Sequence, residues 1–372
     1  MRTERILIVG GGVAGLATAW ALARRGARDV VLVERESALA THSSRKNAAI
    51  LRTATENERT EELACRGGEF LRNPPSGFSE RPLLDACGVL IAVAERGSQL
   101  SPWEQRARDD GRAEEIDRKR LASIAPHFAV GDMRCAWFPR EGRIDIETLL
   151  LGFGRGARQA GVTIETGVGV AVLLRTSAAV TGARLSDGRE IRAERTLIAA
   201  GGWAGRLAAA VGSRVRLRPT RRHLVVSAPD PRVDPRWPVV WAEGAAFYAR
   251  PEAGGLMLCA CDEVDAEPDS IEVVAAVRDL MLAKSRKWLP GLGAARVARC
   301  WSGVRTMTSD GRFAIGPDPD VSGLYWAAGL GGHGMLCAPV VGEIAAARLL
   351  DEAVVGAAEA CDPARLASGR EP

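Results

Sequence analysis

The chain of 372 residues is 47% hydrophobic and 26% charged, with 41 glycines and 19 prolines, which excludes disorder, collagen and a coiled rod. Its 50 Lys and Arg nearly balance 46 Asp and Glu and are scattered along the chain, so no nucleic-acid partner is expected. No apolar run reaches the ~18 residues of a membrane span, and a strand starting at Ile6 leaves no room for a signal peptide, so a cytoplasmic protein without an integral membrane segment is expected.

Residues 5–34 read as a complete strand, helix, strand unit. Ile6-Leu7-Ile8-Val9 is a buried strand, an apolar-periodic helix runs to Arg25 with Gly26 as its stop, and Val30 to Glu34 is a second strand. Between them lies Gly10-x-Gly12-x-x-Gly15. The first glycine permits the tight turn, the second lets backbone approach a pyrophosphate, and the third lets the helix pack on the strand. Glu34 stands 19 residues after Gly15, where a carboxylate accepts a hydrogen bond from a ribose 2′-OH and argues against a 2′-phosphate. The unit is expected to bind a dinucleotide, and the motif alone does not choose FAD over NAD.

Further along, Asp145 caps an amphipathic helix ending near Gly161, and strands near 162–175 and 180–192 flank a turn at Asp187-Gly188. Thr196 to Ala200 is a second buried strand, closed by Gly201-Gly202. Residues 223–227 and 246–250 alternate with period two, and a turn from Pro251 to Gly255 leads into 256–260, an antiparallel hairpin. A helix opened by Asp269 or Ser270 stops at Pro290. Tyr325 to Ala328 enters Gly329, Gly331, Gly332 and Gly334 before a helix from about Ala338 to Leu350, whose N-terminus offers free N–H groups to an electron-rich ring. Among the eight cysteines there is no CxxC pair; Cys259 and Cys261 are expected to point to opposite faces of a strand, and no metal site is expected.

The stretch Thr41-His42-Ser43-Ser44-Arg45-Lys46-Asn47-Ala48-Ala49-Ile50, with 73–78, Arg221-Arg222, Phe247-Tyr248, Trp301-Ser302-Gly303-Val304-Arg305 and the glycine run at 329–334, resembles the D-amino-acid oxidase and sarcosine oxidase superfamily of FAD enzymes, the DAO family. Within it the chain is similar to bacterial D-arginine dehydrogenases, over nearly its whole length. The fold class implied is α/β (α+β, two-domain). A discontinuous Rossmann-like FAD-binding domain takes 1–80, 143–220 and 300–361, an antiparallel-sheet substrate domain takes 81–142 and 221–299, and 362–372 is a frayed tail.

The resemblance implies non-covalent FAD held by Gly10, Gly12, Val13, Ala14, Gly15, Glu34, Arg35, Ser43, Ser44, Arg45, Ala48, Ala49, Val170, Ala200, Gly201, Trp203, Arg305, Gly331, Gly332, His333, Gly334 and Met335. Gly303 occupies the position where some members carry a covalent-flavin cysteine. Oxidation of an amino acid over a flavin depends on positioning, and a carboxylate is best fixed by a guanidinium fork and a phenol. By resemblance these are Arg305, Tyr248 and Arg222, with Arg221 as the other candidate of its pair. His42 is read as structural or cofactor-adjacent.

The substrate pocket is expected at Ile50, Val89, Trp241 and His333. Val89 and Ile50 stand where the arginine-specific enzymes carry a glutamate and a histidine. A cationic side chain would be unpaired there, so a neutral, apolar or aromatic, D-amino acid or secondary-amine acid is the expected substrate. Met257 stands where sarcosine-oxidase-like members carry an oxygen-activating lysine, and no other lysine falls nearby. This leans toward a dehydrogenase, with oxygen or a quinone or other redox carrier as acceptor. The alternatives are a 2-hydroxy-acid dehydrogenase, which needs His42 or His333 as base, and a non-catalytic flavin-binding accessory protein.

Overall fold

The computed structural model describes residues 4–95, 97–269, 272–292 and 296–367. Ile6–Val9 lies inside a six-stranded sheet ordered Ala314–Pro317, Leu324–Ala328, Arg195–Ile198, Ile6–Val9, Val30–Glu34 and Thr163–Thr166. The pairings are parallel except at the edge strand Ala314–Pro317. Strand alternation decides what covers each face. Ile6 and Ile8 join the apolar cluster of helices Val13–Arg24, Glu58–Arg72, Ile146–Gln159 and Gly334–Leu349. Leu7 and Val9 join the cluster that includes the antiparallel strands Val170–Arg175 and Val180–Leu185. A sheet covered on both faces is why Ile6-Leu7-Ile8-Val9 is apolar without interruption.

Two close approaches need glycine. A Cβ at Gly15 would lie 2.0 Å from the Gly10 carbonyl oxygen, and one at Gly342 would lie 2.4 Å from that of Ala17. The first lets helix Val13–Arg24 settle on the turn that opens it, and the second lets helix Gly334–Leu349 lie backbone to backbone against it.

The second sheet has nine strands. Val264–Asp265, Arg218–Ser227, Gly255–Cys259, Phe247–Glu252, Val239–Ala242, Val89–Glu95, Met133–Phe138 and Glu114–Glu115 follow one another, and Val297–Met307 also pairs with Arg218–Ser227. It is mixed rather than purely antiparallel, because Val239–Ala242 runs parallel to Val89–Glu95. Its strand Val297–Met307 starts before residue 300 and hydrogen-bonds in this sheet, so the expected boundary there cuts through a strand.

Asp145 caps helix Ile146–Gln159 by accepting the Thr148 N–H at 3.0 Å. The strand expected over 162–175 is two strands. Thr163–Thr166 adds to the parallel sheet, and Val170–Arg175 starts a separate three-stranded sheet closed by Glu190–Arg192. The helix expected from Asp269 or Ser270 begins at Ala275, and Asp269 accepts the Trp203 indole N–H at 2.9 Å. Ser270 lies outside the described residues. Helix Gly334–Leu349 begins earlier than Ala338 and keeps Pro339 inside, its near-complete burial offsetting the hydrogen bond that proline cannot make. The expected fraying does not begin at 362, since Ala364–Ala367 is helical and Arg365 donates to Asp310 at 2.7 and 3.1 Å. Residues 368–372 lie outside the described residues.

Candidate active site

A cavity of about 510 Å³ is lined by both sheets. At one end are Gly10, Gly12, Val13, Ala14 and Glu34. Helices Val13–Arg24 and Gly334–Leu349 both open onto it with no cap from their own N-cap side chains, leaving first-turn N–H groups other than that of Val13 for an anion. Glu34 is fixed by backbone, its Oε2 accepting the Gly11 N–H at 2.7 Å and its Oε1 the Glu36 N–H at 2.9 Å. Ser44 Oγ accepts the Val13 N–H at 2.9 Å and ties the following loop to the helix start. The Arg35 guanidinium sits 4.4 Å from the Trp203 ring centroid, and the His42 ring 4.8 Å from it. His42 Nε2 also lies 2.9 Å from the Glu36 carboxylate, a structural tie at the cavity wall.

The other end belongs to the nine-stranded sheet. Arg222 lies opposite Gly303 and Thr220 opposite Arg305 in the antiparallel pair Arg218–Ser227 and Val297–Met307. Residues two apart on a strand share a face, so Arg222 and Arg305 are diagonal neighbours on one face, with no side chain at Gly303 to separate them. Trp241 lies opposite Tyr248 with ring centroids 4.5 Å apart. Arg222, Leu224, Trp241, Tyr248 and Arg305 all line the cavity.

The electrostatics of this end are one-sided. Arg222 Nε donates to the Asp262 carbonyl at 2.9 Å, and its second nitrogen reaches Glu263 at 3.3 Å. Arg305 has no carboxylate within ion-pair distance among the described residues; burial first and Arg222 second push its pKa below the ordinary arginine value. Burial and the neighbouring Cys259 hold Tyr248 well above the usual phenol range, so it is a neutral hydrogen-bonding group. Burial, then Arg305 and Arg52, push His333 down to about 4, so it is a neutral imidazole at neutral pH.

The profile of FAD-dependent oxidoreductases of the DAO family matches residues 5–348. The chain belongs to the DAO family. Among its DAO relatives, the 4-methylaminobutanoate oxidase (formaldehyde-forming) of Paenarthrobacter nicotinovorans is 27% identical over 91% of this chain, which spans only 43% of that longer protein. The glycine oxidase of Geobacillus kaustophilus is 26% identical, covering 92% of this chain and 91% of its own. Among solved folds, the L-proline dehydrogenase of P. horikoshii superposes with a TM-score of 0.87 at 20% identity, covering 98% of this chain and 97% of its own. The iminodiacetate oxidase of Chelativorans sp. BNC1 superposes at 0.82 and 24% identity, covering 96% of this chain and 99% of its own.

FAD is the DAO cofactor, and the residues present fit it: a glycine turn, a ribose-side carboxylate and two uncapped helix starts converge on one elongated cavity. Of the residues expected to hold it, Arg35, Ser43, Ser44, Ala48, Ala49, Val170, Ala200, Gly201, Trp203, Gly331, Gly332, His333, Gly334 and Met335 also line that cavity. Gly15 does not, since its role is the helix contact described above. Arg45 does not either: it is exposed and paired with Glu147 at 2.9 Å.

Ile50, Trp241 and His333 reach the cavity, and Val89 does not. Val89 is fully buried in the apolar cluster against which Ile50 and Trp241 pack, so it corrects the expected pocket. Of the arginine pair, Arg222 faces the cavity and Arg221 does not, as alternation requires. Met257 lies in the core, while one lysine, Lys46, does line the cavity near Gly303. Cys259 and Cys261 do not diverge as expected, since residues two apart point to the same side of a strand. The strand ends at Cys259, and the Cys261 N–H donates to the Cys259 sulfur at 3.3 Å. Sequence reasoning missed Arg52 and Arg250. Arg52 lines the cavity two residues beyond Ile50, and Arg250 Nε donates to the Ala48 carbonyl at 2.7 Å across two segments far apart in sequence. Period two from Ile50 and from Tyr248 would have flagged both.

Proposed function

We propose that this DAO-family enzyme oxidises the C–N bond of an amino acid or secondary-amine acid, giving an imine that water hydrolyses to a 2-oxo acid and an amine. The observation that carries this reading is Arg305, a cavity-lining guanidinium with no carboxylate partner among the described residues, beside Arg222 and the neutral Tyr248. Such a group favours an anion in the cavity, and a planar fork fixes both the distance and the plane of a substrate carboxylate. FAD, when bound, would supply the two-electron chemistry, accepting the hydride that leaves the substrate carbon. The chain's own residues orient: Arg305 and Arg222 hold the carboxylate, Tyr248 donates to it, and Trp241, Leu224 and Ile50 exclude water along the wall. The names of the relatives, a methylaminobutanoate oxidase and a glycine oxidase, support chemistry at C–N bonds.

A cationic side chain is disfavoured on new ground, because guanidiniums rather than Val89 set the charge of this end. The apolar wall of Ile50, Leu224 and Trp241 supports an uncharged stretch next to the amine, and the D configuration rests on the family resemblance alone. No cysteine lines the cavity among the described residues, which supports FAD held without a thioether. Met257 in place of a lysine leans toward a dehydrogenase, whereas Lys46 on the cavity wall near Gly303 removes the expectation that no lysine falls nearby. Hydroxy-acid oxidation is the second reading, favoured by one observation: His333 is neutral and lines the cavity, so it could take a hydroxyl proton. The test is anaerobic reduction of the bound flavin by D- and L-amino acids, N-methyl amino acids and 2-hydroxy acids. Bleaching by an amine and not by its hydroxy analogue is expected; bleaching by hydroxy acids alone would overturn the reading.

A further inference from the structure

The cavity holds a second guanidinium site that the carboxylate of a simple amino acid does not use. Arg52 lines it, and its guanidinium lies 4.6 Å from the Trp241 ring centroid, while Trp241 in turn packs on Tyr248 with centroids 4.5 Å apart and planes tilted by 32°. Arg52 therefore sits one aromatic ring farther along the wall than the Tyr248 that neighbours Arg305. Arg52, Arg305 and His333 line the same cavity, and both guanidiniums add to the burial that lowers the His333 pKa. Glu243 accepts from one Arg52 nitrogen at 2.7 Å, but Glu243 does not line the cavity. The face turned to the substrate is thus cationic, and among the described residues no carboxylate lines this end of the cavity.

Resting on the C–N oxidation reading above, we infer that the substrate is an amine bearing two carboxylates: one held by Arg305 and Arg222, the other, across a short spacer, by Arg52. Two separated guanidiniums on one aromatic wall discriminate by distance as well as by charge. Trp241 beneath Arg52 limits the rotamers the guanidinium can adopt, so less freedom is lost when a carboxylate docks. Glu243 moderates the site, because Arg52 must share its charge between a fixed acid and a substrate acid. The preference is accordingly expected to be about tenfold rather than thousandfold. A monocarboxylate would leave Arg52 facing the apolar part of the ligand, which costs binding and specificity together.

The experiment pairs near-isosteric probes on the flavin-loaded enzyme. Anaerobic flavin reduction is followed with glutamate against glutamine and aspartate against asparagine, each in D and L form, and with iminodiacetate against sarcosine. Calorimetric titration of glutarate against butanoate supplies a readout that needs no turnover. The expected result is about tenfold tighter binding for the dicarboxylate of each pair. Arg52→Gln should bring the ratio toward one. Glu243→Gln, which keeps Arg52 and removes its competitor, should widen it, and it serves as the second variant if Arg52→Gln does not fold. Equal or weaker binding of dicarboxylates while neutral amines reduce the flavin would overturn this inference and leave C–N oxidation standing. Failure of every amine in the panel would overturn both.

Discussion

Arg222 and Arg305 project from one face of two adjacent antiparallel strands, Arg222 opposite Gly303 and Arg305 two residues beyond it. Two like charges on one face, with Glu263 the one carboxylate paired with either of them among the described residues, favour an anion between them.

Replacing the fork should therefore cost substrate binding. Arg305→Leu is expected to lower kcat/KM by about 30-fold to more than 1000-fold, the range of about 2–5 kcal/mol for truncating one member of a buried charge pair. Arg305→Lys should fall between, since it keeps the charge and loses the plane. Steady-state kinetics on preparations matched for flavin content checks this; an unchanged KM would remove Arg305 from carboxylate binding.

The contact at Gly15 makes a stability prediction independent of substrate. A methyl group 2.0 Å from the Gly10 carbonyl oxygen cannot fit without moving the helix or the turn. Gly15→Ala is expected to destabilise by about 1–3 kcal/mol and to lower the flavin content of the purified protein. Thermal melting with and without added FAD measures both effects.

Glu141 sets a pH dependence with a definite sign. It is 2% exposed, and its Oε1 accepts the Thr53 N–H at 2.8 Å. Burial pushes its carboxyl up to about 7, above the unfolded value, so its stabilising protonated state is complete in mild acid and lost as pH rises through 7. Glu141→Gln should raise Tm at pH 8 by a few degrees, on the order of 1–3 kcal/mol, and give no gain at pH 5. Equal shifts at both pH values would remove the titration argument.

His333 acts in the opposite direction. Its pKa, pushed down to about 4, lies below the unfolded value, so the stability of its neutral form is complete above about 6.5 and lost as pH falls through 4. His333→Asn should flatten the fall in Tm over that window. His127, also pushed down to about 4 by burial, leaves part of the slope in place. A variant melting with the unaltered slope would contradict the burial of a neutral His333 near Arg305 and Arg52.

Local order decided what could be read from the sequence alone. Strand Ile6–Val9, the turn Gly10 to Gly15 and Glu34 are contiguous, and their spacing follows from the geometry of one strand and one helix, so the dinucleotide site was legible without a fold. The Asp145 cap was legible for the same reason. Only the tertiary structure decided the substrate end, where side chains from residues 50–52, 222–224, 241–248 and 303–305 meet through strand pairing. Pairing register fixes which neighbour faces which, and register is a long-range property. It turned Arg222 inward and Arg221 away, buried Val89 behind the pocket, and brought Arg52 onto Trp241. Charge at the cavity surface depends on that assembly, because a guanidinium or carboxylate acts on substrate only when folding leaves it facing the cavity.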